Sequence, residues 1–314
     1  MQIISGRTFV SIIISLIIII VSCEEEITSP YQISRIDIGT AYYISVENQT
    51  AYLVNNKGIV IINVSNPYNP YEIGTISNDI IAGFHVLNDT IVVSGRYYTI
   101  YDVKDSGNPV EIGQYTGKTG RINAVTRKGK FGSLIYFDGG IDILDLSSIN
   151  RPRSIGYSKS SWQGNDMALL GNFIYVANSM AGLEIIDITD PGQPVIKEIV
   201  SGTSGAWDIH FQNNLLFLGC HMYGCRIIDI SYPFEPVVIG SLNTGGEIYG
   251  VCSWQNQLAI ADLQKGVFIY DISDPTNPIK IAEDKSYHPH NIWYDGTYIF
   301  LADQDKGFVI LKFQ

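Results

Sequence analysis

Oxygen-bearing side chains recur at one position of a repeated pattern. Asp166 and Asp208 precede short apolar runs that have the character of strands, and Asn123 and Asn291 occupy the matching position in other copies. Carboxylate and amide oxygens are the ligands that Ca²⁺ prefers. The pattern therefore predicts either a Ca²⁺ site, with Asp166 and Asp208 as ligands, or polar side chains that satisfy nearby backbone groups. No other cofactor is expected.

Aromatic and imidazole rings come directly before this position in four copies, as Tyr42, Trp207, Tyr249 and His290. Rigid amphipathic rings on a concave surface are typical of sites that bind peptides or glycans, although they also cover the ends of sheets. His288 and His290 form a His-x-His pair suited to a transition metal, but a third ligand is not evident. Gly-x-Ser-x-Gly and P-loop motifs are absent, which favours binding over catalysis.

A phrase repeated along the chain supplies the elements that position these residues. Its clearest copies run from Gly182 to Pro194 and from Gly266 to Pro278. A polar residue closes each apolar strand of this type, and its seven copies are 39 to 43 residues apart: Asn63, Asp102, Asp145, Asp187, Asp229, Asp271 and Lys312. This period predicts seven units of four short strands, in which the polar residue accepts N–H groups of the following turn.

The fifth unit shows the predicted strand order. Strands A to D are expected at 207–212, 215–220, 225–230 and 237–242. Pairs such as Asn213-Asn214 and, in the next unit, Asn256-Gln257 mark the turn between strands A and B. A helical period is absent after Cys23.

The ends of the repeat array predict a closed ring. The last unit stops after strand C, whereas Tyr31–Gly39 resembles the strand D copies of other units. We therefore predict an all-β fold, a seven-bladed β-propeller of four-stranded antiparallel blades in which the N-terminal strand completes the last blade. Closure removes exposed sheet edges and gathers the strand A entrances around a central channel.

The strand B–loop–strand C copies resemble LVIVD-repeat proteins. The matching stretches are 174–178, 182–188, 258–262 and 266–272, and the resemblance covers all seven units from Tyr31 to Gln314. The resemblance implies a propeller in an extracytoplasmic setting, and it does not imply any enzymatic reaction.

The leader predicts a membrane anchor. Phe9–Val21 is an apolar run of 13 residues, and Ile20-Val21-Ser22-Cys23 resembles a bacterial lipobox. We expect a signal peptide at 1–22, a lipid on Cys23, an acidic tether at 23–30 and the propeller at 31–314. The alternative is an ordinary secretory signal with an incidental cysteine.

The charge balance limits the partners. Removal of residues 1–22, which contain one charge, takes the formal net charge from −11 to −12. An acidic chain lacks the basic surface that nucleic acid requires, so no nucleic-acid partner is expected.

Cys220 and Cys225 flank a four-residue segment. If that segment is a hairpin loop in an oxidising compartment, the two cysteines form a disulfide; otherwise they are buried free thiols.

Together these features predict a non-enzymatic lipoprotein at the outer membrane or cell surface. Its partners would be the bilayer, through acylated Cys23, and an envelope or extracellular protein or glycan. Asn123, Asp166, Trp207, Asp208, Tyr249, His290 and Asn291 are the expected ligand-binding residues. Two alternatives are a metal-assisted hydrolase or lyase at the channel and a purely structural assembly scaffold.

Overall fold

The computed structural model describes residues 29–78, 81–118, 120–159 and 163–313. These residues form 28 strands in seven four-stranded antiparallel sheets, with no helix among them. We number the sheets as blades 1 to 7 and name the strands of each blade A to D. The predicted signal peptide, Cys23 and most of the tether lie outside the described residues.

The strand bounds follow the repeat. Blades 1 to 3 contain β2 (Ala41–Glu47), β3 (Thr50–Asn55), β4 (Gly58–Asn63) and β5 (Tyr71–Ser77); β6 (Gly83–Leu87), β7 (Thr90–Ser94), β8 (Tyr98–Asp102) and β9 (Val110–Tyr115); β10 (Ile122–Lys128), β11 (Phe131–Tyr136), β12 (Ile141–Asp145) and β13 (Arg153–Ser158). Blades 4 to 6 contain β14 (Asp166–Leu170), β15 (Phe173–Asn178), β16 (Gly182–Asp187) and β17 (Val195–Val200); β18 (Asp208–Gln212), β19 (Leu215–Gly219), β20 (Cys225–Asp229) and β21 (Val237–Leu242); β22 (Ile248–Trp254), β23 (Gln257–Asp262), β24 (Gly266–Asp271) and β25 (Ile279–Asp284). Blade 7 contains β26 (Pro289–Tyr294), β27 (Tyr298–Asp303), β28 (Gly307–Lys312) and, as strand D, β1 (Tyr31–Ile36).

The N-terminal strand completes the last blade, as predicted. β1 pairs antiparallel with β28, and the pairing runs from Tyr31 opposite Lys312 to Ile36 opposite Phe308. In every blade the register between strands C and D shifts near the middle, and β1 has the same shift between Gln32 and Ser34. Such bulges bend a strand and increase its twist. β1 is therefore a regular strand D.

Each predicted strand-closing residue is the last residue of its strand C. The six Asn and Asp side chains accept the N–H group two residues further on, and the distances for Asp187, Asp229 and Asp271 are each 2.8 Å. These hydrogen bonds confirm the turn role predicted for them.

The core lies between blades. Seven clusters of buried apolar residues each join two neighbouring blades around the ring. At the closure, Ile33, Ile36 and Ile38 pack against the cluster that contains Phe300 and Phe308. A single blade thus has no core of its own.

Strand D approaches the next blade closely. A Cβ at Gly113 would lie 2.1 Å from the carbonyl oxygen of Ile149, which belongs to the C–D turn of the following blade. At the equivalent position of β1, the hydroxyl of Ser34 donates a hydrogen bond of 2.6 Å to the carbonyl of Pro67. Glycine therefore makes room for the neighbouring turn, and in β1 a serine bonds to it instead.

No helix in the described part of the chain is long and apolar enough to span a membrane.

Candidate binding site at the channel mouth

The strand A entrances surround a central channel that has two compartments. The mouth, on the side of the D–A loops, has a volume of about 490 Å³ and is lined by Trp207, Tyr249 and His290 among others. The inner compartment has a volume of about 240 Å³ and is lined by Asp166, Asp208 and other residues. The two compartments separate the residues that the sequence had grouped in one pocket.

Four rings line one wall of the mouth, and the ring of His221 packs against two of them. We call the five residues the aromatic arc: Trp207, His221, Tyr249, His290 and Tyr42. Neighbouring ring centroids along the arc are 4.9 to 5.8 Å apart, mostly edge to face or tilted. The Nε2 of His221 lies 3.1 Å from the hydroxyl of Tyr249 and 3.5 Å from the carboxylate of Glu247, which fixes the middle of the arc. The arc comes from blades 5, 6, 7 and 1.

Polar side chains from blades 3 and 4 form the facing wall. Arg121, Asn123, Gln163 and Asn165 line it together with Phe137. The amide of Asn123 donates to the carbonyl of Gly164 at 2.7 Å, and the amide of Asn165 donates to Ser179 and to the carbonyl of Ala206. The mouth is therefore apolar and aromatic on one side and polar on the other.

The predicted ligand residues of the inner compartment join adjacent blades. The carboxyl of Asp166 accepts the N–H of Ile209 at 3.0 Å, and that of Asp208 accepts the N–H of Val251 at 2.8 Å. The Oδ1 of Asn291 accepts the N–H of Ile44 at 3.3 Å. Each acceptor reaches the strand A of the following blade, so these residues hold the inner strands in register.

Burial determines the protonation of the two inner carboxyl groups. Burial raises the pKa of Asp166 to about 6. Burial, reinforced by the charge of Asp166, raises the pKa of Asp208 well above its usual range. Burial also lowers the pKa of His210 to about 4. The inner compartment therefore favours neutral forms of its ionisable groups.

The described residues do not add further metal ligands to Asp166 and Asp208. The described residues contain no group of three or more His, Cys, Asp or Glu that could hold a metal ion. Asp166 and Asp208 each accept a hydrogen bond from the next blade, so the interpretation as backbone acceptors has direct support. His288 pairs with Asp305 at 2.7 Å, whereas His290 joins the aromatic arc.

Asp262 and Asp303, which end strand B of blades 6 and 7 just before the B–C loops, are fully buried. Asp262 accepts the N–H groups of Glu247, Gln264 and Lys265, and Asp303 accepts those of His288, Asp305 and Lys306. Their role is turn stabilisation.

Of the two alternatives for Cys220 and Cys225, a disulfide or buried free thiols, the structure has the buried free thiols. The register pairs Gly219, not Cys220, with Cys225. Side chains one register position apart point to opposite faces of a sheet. Cys220 accordingly packs in the cluster between blades 4 and 5, and Cys225 packs in the cluster between blades 5 and 6.

Sequence reasoning missed Arg121 and Gln163, which precede the strand A entrances without a repeated pattern.

The chain belongs to the LVIVD repeat family. The family model matches residues 38–77, 163–201, 205–244, 255–283 and 288–311, which together are more than half of the chain. No curated protein sequence matches this chain.

Solved structures are similar in fold. One of them is the crystal structure of the computationally designed Ika8 protein, which is 11% identical with a TM-score of 0.66. The similarity covers 87% of this chain and 83% of that chain. At this identity the likeness supports the propeller fold alone. The family and the fold fit a binding or interaction platform.

Proposed function

We propose that this protein is a lipid-anchored extracytoplasmic binding protein that holds a glycan at the channel mouth without converting it. The observation that supports this function is the aromatic arc facing amide and guanidinium groups across about 490 Å³. Small-ligand sites are mostly apolar and aromatic, with a few placed polar groups, and typically measure ~300–1,000 Å³. Sugar rings offer an apolar face for such rings and hydroxyl groups for such amides.

Removal of one ring of the arc tests the site. In Trp207→Ala we expect glycan affinity to fall by a factor of about 30, because buried aromatic anchors contribute ~2 kcal/mol or more. A glycan array followed by calorimetry on the best ligand measures the effect. Trp254→Ala is the matched control, since Trp254 ends strand A at the opposite face and is 45% exposed.

Equal binding by the Trp207→Ala and Trp254→Ala variants would count against the mouth as the site. A parallel peptide array decides the ligand class. Ligands found only among peptides would replace the glycan by a protein partner.

The path of the N-terminus supports the anchored arrangement. Tyr31 pairs with Lys312 at the C–D turn side of blade 7, which is opposite the mouth. The hydroxyl of Ser29 donates to the carbonyl of Glu283 at 3.1 Å on the outer strand of blade 6. Residues 23–30 span at most about 29 Å when extended. A lipid on Cys23 would therefore place the C–D turn side near the bilayer and leave the mouth facing away.

Loss of the Cys23 thiol tests the anchor. In Cys23→Ser we expect the protein to leave the membrane fraction and to lose label from a radioactive fatty acid, because the acylated sulfur is missing. Cell fractionation and labelling measure both effects, and Cys252→Ala, at a buried thiol, serves as the control. A Cys23→Ser variant that stays in the membrane fraction would exclude this anchor.

A further inference from the structure

Among the described residues, one cation lines the mouth, and none of these residues is its partner. The guanidinium of Arg121 forms no hydrogen bond or ion pair with any residue in the described part of the chain. Its backbone is fixed, because the Arg121 carbonyl accepts the N–H of Phe137 at 2.8 Å. The formal net charge of the whole protein is −11, so a free cation in the mouth is not a general property of the surface.

The positive charge of Arg121 lies at the channel. Burial raises the pKa of Tyr43 to about 12, and the positive charge of Arg121 acts on that hydroxyl in the opposite direction. Tyr43 lines both compartments. Arg121 and Tyr43 both line the mouth, and Arg121 belongs to the wall that faces the aromatic arc.

We infer that the mouth recognises a sugar that carries a carboxylate, with Arg121 as the group that pairs with it. A pyranose ring against the arc satisfies the apolar wall, and a carboxylate at its opposite edge supplies the counterion that Arg121 lacks. Guanidinium and carboxylate groups match in a two-bond geometry. This inference rests on the proposed glycan-binding function and adds the class of glycan.

The charge of the ligand is limited to a single carboxylate. Asp166 lies in the compartment below the mouth, and above pH 6 its carboxylate would repel a second negative charge on the ligand. One guanidinium balances one carboxylate. A sugar phosphate, with close to two charges, fits this arrangement less well.

Uronic acid monosaccharides and their methyl esters test the inference. The methyl glycosides of galacturonate, glucuronate and mannuronate, each with a single carboxylate, are titrated calorimetrically into the full mature protein, each beside its neutral ester. We expect at least one acid to bind about 10- to 100-fold more tightly than its ester, the range for a hydrogen-bonded charged pair. In Arg121→Gln the acid should bind only as well as the ester, and Arg121→Lys should recover part of the difference.

Arg151→Gln, which removes one exposed positive charge from a C–D turn, is the matched control and should bind like the unaltered protein. If acid and ester bind equally while Trp207→Ala weakens both, the glycan function stands and the carboxylate inference is wrong. If no sugar binds, both are wrong. Tighter binding of a sugar phosphate than of every uronate also overturns the inference. Because Arg121 is exposed and has no partner in the described ranges, Arg121→Gln should melt at the temperature of the unaltered protein.

Discussion

A chain that starts at Thr40 is expected to lose cooperative unfolding, whereas one that starts at Pro30 keeps it. The shorter chain lacks β1, so β28 has a free edge and Ile33, Ile36 and Ile38 no longer cover their cluster. Burial of an isoleucine side chain contributes ~1.5–3 kcal/mol when complete. Three partly buried isoleucines and a lost strand pairing together approach the ~5–15 kcal/mol that stabilises a typical domain.

Thermal melting and size-exclusion chromatography of the two chains measure this effect. The chain from Thr40 should aggregate or form larger species, because an open edge strand pairs with other chains. A synthetic peptide of residues 29–40 should restore the sharp melt by pairing with β28. Identical melts without the peptide would show that ring closure adds little.

The second large effect is a pair of opposed pH dependences inside the channel. Burial lowers the pKa of His85 and His210 to about 4, with Arg127 adding to the effect at His85. A histidine with a lowered pKa contributes full stability above pH 6.5, and this contribution is lost as the pH falls towards 4. Burial raises the pKa of Asp166 from 3.8 to about 6, so its contribution is full below pH 3.8 and is lost as the pH rises through 6.

Substitutions separate the two contributions. Between pH 6.5 and 4.5, His210→Gln should lose less stability than the unaltered protein, and Asp166→Asn should lose more. At 1.36 kcal/mol for each pKa unit, each full shift corresponds to about 3 kcal/mol. Urea unfolding at several pH values measures the slopes, and His288→Gln, at an exposed residue, is the control. Parallel curves for all four proteins would contradict the assignment.

The sequence predicted the blades well because their signals are local. Each strand C ends in a residue such as Asp229 that bonds two residues ahead, so one turn determines where the strand ends. The turn between strands A and B of blade 6 was placed one residue late, since Gln255 has the positive φ. The bulge in strand D carries no residue signature, and only the pairing reveals it.

The site was predicted only in part, because residues one position apart in the sequence lie in different compartments or on different faces of a sheet. Trp207 and Asp208 are adjacent, yet one lines the mouth and the other lines the inner compartment. The one-step offset between Cys220 and Cys225 likewise places their thiols on opposite faces. Arg121 stands two residues before Asn123 in one blade only, so the repeat could not reveal its role.

The pairing of β1 with β28 also determines when, during synthesis, the ring can close. Within the propeller, residues 31–36 are synthesised first, and their partner residues 308–312 are synthesised after the other strands. Contacts so distant along the chain are slow to form. Until β28 has been synthesised, β1 has no strand to pair with. A chain that is truncated anywhere before β28 therefore leaves β1 unpaired.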